Sequence, residues 1–204
     1  MNFNIKKSDD KSKSANETRE QSLFRDARDI LVILAVFMVV YILFFRVVVV
    51  VGGSMFDTLV DGDRLLLISN VIYQNPEAGD VIVASKDSFR NGECIVKRVI
   101  ATEGQTVDID FENGVVYVDG VALEEEYIYT LTNRPVHCIE FPFTVEEGCV
   151  FVMGDNRSVS LDSRSADIGQ IDKREILGKA VFLLFPGDHE GEVRRDYSRI
   201  GGVD

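Results

Sequence analysis

Ile30 to Phe45, "ILVILAVFMVVYILFF", is sixteen residues without a charge, a glycine or a proline. A bilayer needs ~20 apolar residues in helical form. The apolar character resumes after Arg46 in Val47 to Val51, so an arginine that snorkels lets the run reach full length. A core helix of this length would carry a polar stripe, and this run carries none. Residues 30–46 are therefore read as a transmembrane anchor, with the lipid bilayer as a partner. A cleaved signal peptide is the rival reading. The segment before the run is long and mixed in charge, and no small-x-small pattern follows it, which argues against cleavage.

Residues 1–29 hold seven basic side chains (Lys6, Lys7, Lys11, Lys13, Arg19, Arg25 and Arg28) and six acids. The stretch "KKSDDKSKSANETREQ" has no aromatic residue and reads as a disordered tail. Basic residues ahead of a span hold that end in the cytoplasm, so the chain after residue 46 is expected outside it. The net charge is −12, while the tail by its own count is 7 − 6 = +1, so the outer domain carries the acidity. That balance speaks against a nucleic-acid partner and fits a soluble acidic surface.

The outer domain, residues 47–204, has 204 − 46 = 158 residues, enough for one buried core. Its apolar segments are short and rich in branched side chains: "RLLLIS" (64–69), "DVIVAS" (80–85), "CIVKRVIA" (94–101), "CVFVMGDN" (149–156) and "ILGKAVFLLFP" (176–186). "TVDIDFENGVVYVDG" alternates up to Asn113-Gly114 and resumes after it, the pattern of a β-hairpin. The expected fold is an all-β domain of several small antiparallel sheets behind one N-terminal helix, with a loose end from Gly187 onward. Cys94, Cys138 and Cys149 are odd in number, which rules out a complete disulfide framework and leaves one bridge, Cys138 to Cys149, open. His137 and His189 have no ligand-like neighbours, so neither a metal nor another cofactor is expected.

Directly after the valines comes "GGSMFDTL". Glycines beside a serine mean either a tight turn or a hydroxyl on an unobstructed backbone. A nucleophilic serine needs a proton acceptor, and no histidine is suitably placed. A lysine serves if burial among apolar groups lowers its pKa from ~10.4 toward ~7–8. Lys97 in "CIVKRVI" has those neighbours, although a lysine in a strand more often points to solvent.

Four segments in order, "GSMFDTL" (53–59), "GDVIV" (79–83), "VKRVIATEG" (96–104) and "GDNRSVSLDSR" (154–164), resemble the boxes of type I signal peptidases. The resemblance runs from the anchor to about Pro186, and its last box is the most specific. It implies a signal-peptidase-like fold and a membrane-bound serine endopeptidase. Such an enzyme removes signal peptides from exported preproteins on the outer face of the cell membrane. Carried over by position, Ser54 is the nucleophile and Lys97 the general base, and Ser160 orients the lysine amine. Asp155, Asp162, Arg164 and Arg98 brace the site. The Ser54 backbone N–H is one oxyanion donor. Some relatives place a second donor, a hydroxyl, two residues before the nucleophile, where this chain has Gly52. Gly52, Gly53 and Met55 are expected where substrate backbone passes close. The valine run would hold the site at the bilayer surface.

Two positions depart from the family pattern: Asp57 and Glu103 stand where relatives carry proline. Such drift fits a specialised paralogue. It also leaves an alternative, a non-catalytic chaperone of the same fold for surface or pilus assembly. Retention of both Ser54 and Lys97 favours the enzyme.

Overall fold

The computed structural model describes residues 5–86, 92–135, 139–188 and 195–203. The chain divides between Leu43 and Phe44 into two units. The first is the helix α1, Ile5–Phe44. Its portion Leu23–Phe44, 22 residues, is long and apolar enough to cross a membrane, and none of it is buried by protein. At 1.5 Å per residue it spans about 33 Å, a match to the hydrocarbon thickness of a bilayer.

Two boundaries differ from the sequence reading. The helix extends back to Ile5, where a disordered tail was expected from residues 1–29. Residues 5–29 contain no glycine or proline and carry seven Lys or Arg, which are good helix formers. They elongate a helix that the apolar run has already nucleated, and each added residue avoids the cost of a new first turn. At the other end, Arg46 and the valines do not lengthen the span. They form β1, Phe45–Val49, which pairs with residues 64–68. Consecutive valines are stiff at χ1 and suit a pleated strand better than a helix.

Among its described residues the second unit has twelve strands: β1, β2 Arg64–Ser69, β3 Val81–Ser85, β4 Cys94–Thr102, β5 Thr106–Asp110, β6 Val115–Val118, β7 Val121–Ala122, β8 Phe143–Thr144, β9 Cys149–Met153, β10 Ile171–Asp172, β11 Ile176–Phe185 and β12 Gly201–Gly202. Among the described residues they form two antiparallel sheets. The larger runs β1-β2-β11-β3-β4-β9-β10, with β12 added to β11, and the smaller runs β7-β6-β5-β8. The expected all-β antiparallel domain is therefore present, with its strands gathered into two sheets.

β3 is buried on both faces. Val81 and Val83 enter a cluster with Val50, Met55, Leu59, Leu65 and Leu67. Ile82 and Ala84 enter a second cluster with Ile95, Val99, Val152 and Ile171. A third, centred on Phe151, joins β4 and β9 to the smaller sheet through Val107, Ile109, Val116 and Val118. Each fully buried aliphatic side chain contributes roughly 1.5–3 kcal/mol.

The described residues of the end expected to be loose are packed against the larger sheet. Gly187 is buried, β12 pairs with β11, and Val203 enters the first cluster. Of the cysteines, Cys94 and Cys149 are free thiols. Cys138, His137 and His189 lie outside the described residues, and so does the Cys138 to Cys149 bridge that the sequence leaves open.

Candidate functional site

Ser54 sits in the loop between β1 and β2, and backbone and side chains fix that loop from several directions. Val50 N–H donates to the Asp63 carbonyl at 2.8 Å, and Gly62 N–H donates back to the Val50 carbonyl at 2.9 Å. Gly52 has φ +88°, a conformation that favours glycine, and its N–H donates to Asp61 Oδ1 at 2.7 Å. A Cβ built on Gly52 or Gly53 would meet nothing within 4 Å, so both backbones face open space. Met55, expected where substrate passes close, is on the lining of the cleft beside Ser54. Its side chain is buried with Leu59 and Leu65, because the turn after Ser54 points it into the first core cluster.

Lys97 lies in β4, whose side chains alternate between the two faces of the larger sheet. It stands opposite Ile82 on β3 and takes the face of Ile95 and Val99, which belong to the second cluster. This answers the question that the sequence left open, since Lys97 points inward and is 4% exposed. Its Nζ donates to Ser54 Oγ at 2.7 Å and to the Val96 carbonyl at 2.9 Å. Burial lowers its pKa from an ordinary 10.5 to about 8. The negative charges of Asp162 and Asp155 pull the other way, and the Arg164 guanidinium adds to the lowering. A lysine so placed is neutral in a substantial fraction of molecules near pH 8, and its lone pair then faces a hydroxyl proton at hydrogen-bond distance.

The four charged residues expected to brace the site form two buried pairs. Arg98 Nε and Nη2 donate to the two oxygens of Asp155, at 3.0 and 2.9 Å. Thr58 Oγ1 also donates to Asp155, at 2.6 Å, which ties the Ser54 loop to the 154–164 segment. Arg164 Nε and Nη2 donate to Asp162 at 2.8 and 2.9 Å. Full burial pushes the Asp162 carboxyl up, but the Arg164 hydrogen bonds and charge outweigh it and hold that carboxyl below its usual range.

Ser160 stands beside the pair without a hydrogen bond to the Lys97 amine. Among the described residues no well-formed hydrogen bond reaches its buried Oγ, which still lies close enough to Asp162 to help lower that carboxyl, and Lys97 Nζ is turned to Ser54 and Val96. What fixes Ser160 is packing against Gly154. A Cβ on Gly154 would stand 2.3 Å from Ser160 Oγ and 2.4 Å from the Ser54 carbonyl oxygen. Glycine is therefore a steric requirement at that position.

Several residues at the site were not singled out from the sequence. Asn156 N–H donates to the Ser54 carbonyl at 3.0 Å, and Asn156 Nδ2 donates to the Gly53 carbonyl at 3.2 Å. Arg157 is buried, with Nη1 donating to Thr132 Oγ1 at 2.7 Å and both terminal nitrogens donating to Glu125. Tyr127 lies under the Arg98 guanidinium, 4.1 Å from ring centroid to Cζ. Gly154, Asn156 and Arg157 fall inside the quoted last box and Thr58 inside the first. Glu125, Tyr127 and Thr132 carry no local motif that could have identified them.

Ser54 and Lys97 open into a cleft of about 660 Å³. Its walls are aliphatic (Val48 to Val51, Val83, Ile95, Val96, Val159 and Leu161), with Glu93 and Cys94 also on its lining. The valine run is thus a wall of the cleft beside the serine.

The sequence matches the family model described as "Signal peptidase, peptidase S26" over residues 23–185. It is 38% identical over 150 residues to the probable signal peptidase I-1 of Synechocystis sp., covering 70% of this chain and 72% of that one. Signal peptidase I of Bacillus licheniformis is 32% identical over 182 residues, covering 85% of this chain and 94% of that protein. Signal peptidase I S of Bacillus subtilis is 30% identical over 182 residues, with coverages of 85% and 95%.

Proposed function

This chain belongs to the signal peptidase family, peptidase S26, and from that premise we propose how it removes signal peptides. It is a serine endopeptidase. In our reading Ser54 is the nucleophile and Lys97 the base, and the 2.7 Å contact between them carries that reading.

The neutral Lys97 amine takes the Ser54 hydroxyl proton as Oγ attacks the scissile carbonyl carbon. The carbonyl oxygen becomes an oxyanion, which the Ser54 backbone N–H stabilises. Among the described residues nothing else accepts a hydrogen bond from that N–H. The Lys97 ammonium then gives its proton to the leaving amine, the peptide C–N bond breaks, and an ester to Ser54 remains. Water, deprotonated by Lys97, attacks the ester carbonyl. The signal peptide leaves with a new carboxylate, and the proton returns to Ser54. The Arg98–Asp155 and Arg164–Asp162 pairs take no proton in this sequence. They hold the Ser54 loop, β4 and the 154–164 segment in register. Ser160 Oγ, without a well-formed hydrogen bond at rest among the described residues, is available to the lysine ammonium formed during turnover.

The aliphatic cleft suits an extended peptide with small apolar side chains one and three residues before the cut, with Gly52 and Gly53 leaving room for its backbone. Leu23–Phe44 anchors the protein in the membrane, the basic N-terminal segment remains in the cytoplasm, and the domain from residue 47 works outside. The test is a purified preprotein incubated with the wild type and with Ser54→Ala. Conversion by the wild type and an unprocessed precursor with the variant are expected. Processing by Ser54→Ala at the wild-type rate would overturn the assignment.

A further inference from the structure

The segment 195–203, beyond the stretch that the family model matches, is tied to the loop bearing Ser54 through one arginine. Arg199 Nη1 donates to Asp63 Oδ1 at 3.1 Å, and Nη2 donates to Asp63 Oδ2 at 2.8 Å. Nη2 also donates to the Thr58 backbone carbonyl at 3.1 Å. Asp63 is fully buried, and the same carboxylate accepts from Val60 N–H at 2.8 Å and Gly187 N–H at 2.7 Å. Two segments far apart in sequence thus meet on one carboxylate. Val203 closes the contact from below by packing in the cluster that holds Met55 and Leu59.

The consequence reaches the reacting atoms in few steps. Asp63 and Thr58 belong to the loop of Ser54, and Thr58 Oγ1 donates to Asp155. Asp155 pairs with Arg98, the residue after Lys97. An arginine that fixes the Thr58 carbonyl therefore holds the backbone from which Thr58 Oγ1 reaches Asp155. Its planar fork of donors meets both carboxylate oxygens and the neighbouring carbonyl in one fixed geometry, which the compact ammonium of a lysine does not reproduce.

We propose that Arg199 is a positioning residue for the peptidase reaction: by bridging Asp63 and the Thr58 carbonyl it sets the distance from the Ser54 loop to the lysine strand. The proposal rests on the assignment of Ser54 and Lys97 above. It predicts a defect in the chemical step rather than in substrate binding, because Arg199 does not line the cleft.

The experiment compares wild type, Arg199→Ala, Arg199→Lys, Arg195→Ala and Ser54→Ala in steady-state cleavage of a signal-peptide substrate, with thermal unfolding measured on each. Arg195, exposed and paired with Asp188, controls for general disturbance of the segment and should leave kcat and KM unchanged. Arg199→Ala should lose kcat by about ten- to a hundredfold, the scale of a small misplacement of reacting groups, with KM within about twofold. Guanidinium at tens of millimolar should restore part of that kcat, whereas ammonium should not. If the alanine variant fails to fold, Arg199→Lys decides. It keeps the charge on Asp63 but not the second contact, and should unfold near the wild-type temperature with lowered kcat. Wild-type kcat in folded Arg199→Lys, a loss confined to KM, or a loss tracking the unfolded fraction would each overturn the proposal. Activity in Ser54→Ala would instead overturn the site assignment, so the two failures are told apart.

Discussion

Lys97 Nζ lies 2.7 Å from Ser54 Oγ, although 43 residues separate the two in sequence and they stand on different elements of the larger sheet's surroundings. The lysine reaches the serine from a strand that buries it among aliphatic side chains, and that burial makes its amine a usable base.

Activity is expected to follow deprotonation of Lys97. With its pKa at about 8, kcat/KM should rise through that pH and reach a plateau on the alkaline side. Lys97→Arg keeps a cation with no base at accessible pH and should abolish cleavage. A pH–rate profile on a peptide substrate checks both. A profile flat from pH 6 to pH 10 would require a different base.

The same burial costs stability, with a definite sign. The folded pKa of about 8 lies below the ordinary 10.5, so the unfolded chain binds more protons in between, and stability rises with pH across that window. Below pH 8 the full cost of a charged, buried amine is present, and above 10.5 it is gone. Lys97→Met, similar in shape and uncharged, should therefore be inactive yet more stable near neutral pH by about 3 kcal/mol. The gap should close between pH 8 and 10.5. Denaturant midpoints at several pH values measure it.

Ser160→Ala removes a buried hydroxyl that makes no well-formed hydrogen bond among the described residues. Loss of an unsatisfied group should leave stability unchanged or raise it by up to about 1 kcal/mol. A reduced kcat in the fully folded variant is expected from its place beside the site. Unchanged kcat would remove Ser160 from the mechanism.

Gly154→Ala forces a methyl against the Ser54 carbonyl and Ser160 Oγ. The backbone must shift, so cleavage should fall at least about a hundredfold, the scale expected when reacting groups move by an ångström. Normal kinetics in this variant would contradict the close packing described for that glycine.

The two positions that depart from the family pattern should behave differently. Asp57 is exposed, and Asp57→Pro should leave cleavage intact. Glu103 accepts from Gly148 N–H at 2.7 Å and pairs with Lys173 at 2.9 Å. Glu103→Pro should lower the unfolding temperature while leaving the pH profile in place. Thermal scans and cleavage assays on the two variants check this.

Local chemistry determined what was legible in the sequence. An apolar run is long enough to span or it is not, branched residues alternate or they do not, and Asn113-Gly114 turns a hairpin without distant help. Those rules gave the span, most strands of the larger sheet and the β5–β6 hairpin. Ser54, Lys97 and the residues proposed to brace them were singled out through the order of four boxes, because the residue types survive even where the contacts are long-range. The helical extension to Ile5, the strand made from the valine run and the ordered segment at 195–203 were not legible. Each depends on a partner distant in sequence or on a helix already begun next door. The depressed pKa of Lys97 was a requirement of the chemistry until the fold met it. Only the tertiary structure could bury Lys97 on the sheet face it shares with Ile82, Ile95 and Val99, and only it could bring Arg199 to Asp63. Burial and long-range ion pairs are properties of surfaces brought together, and no single stretch of chain carries them.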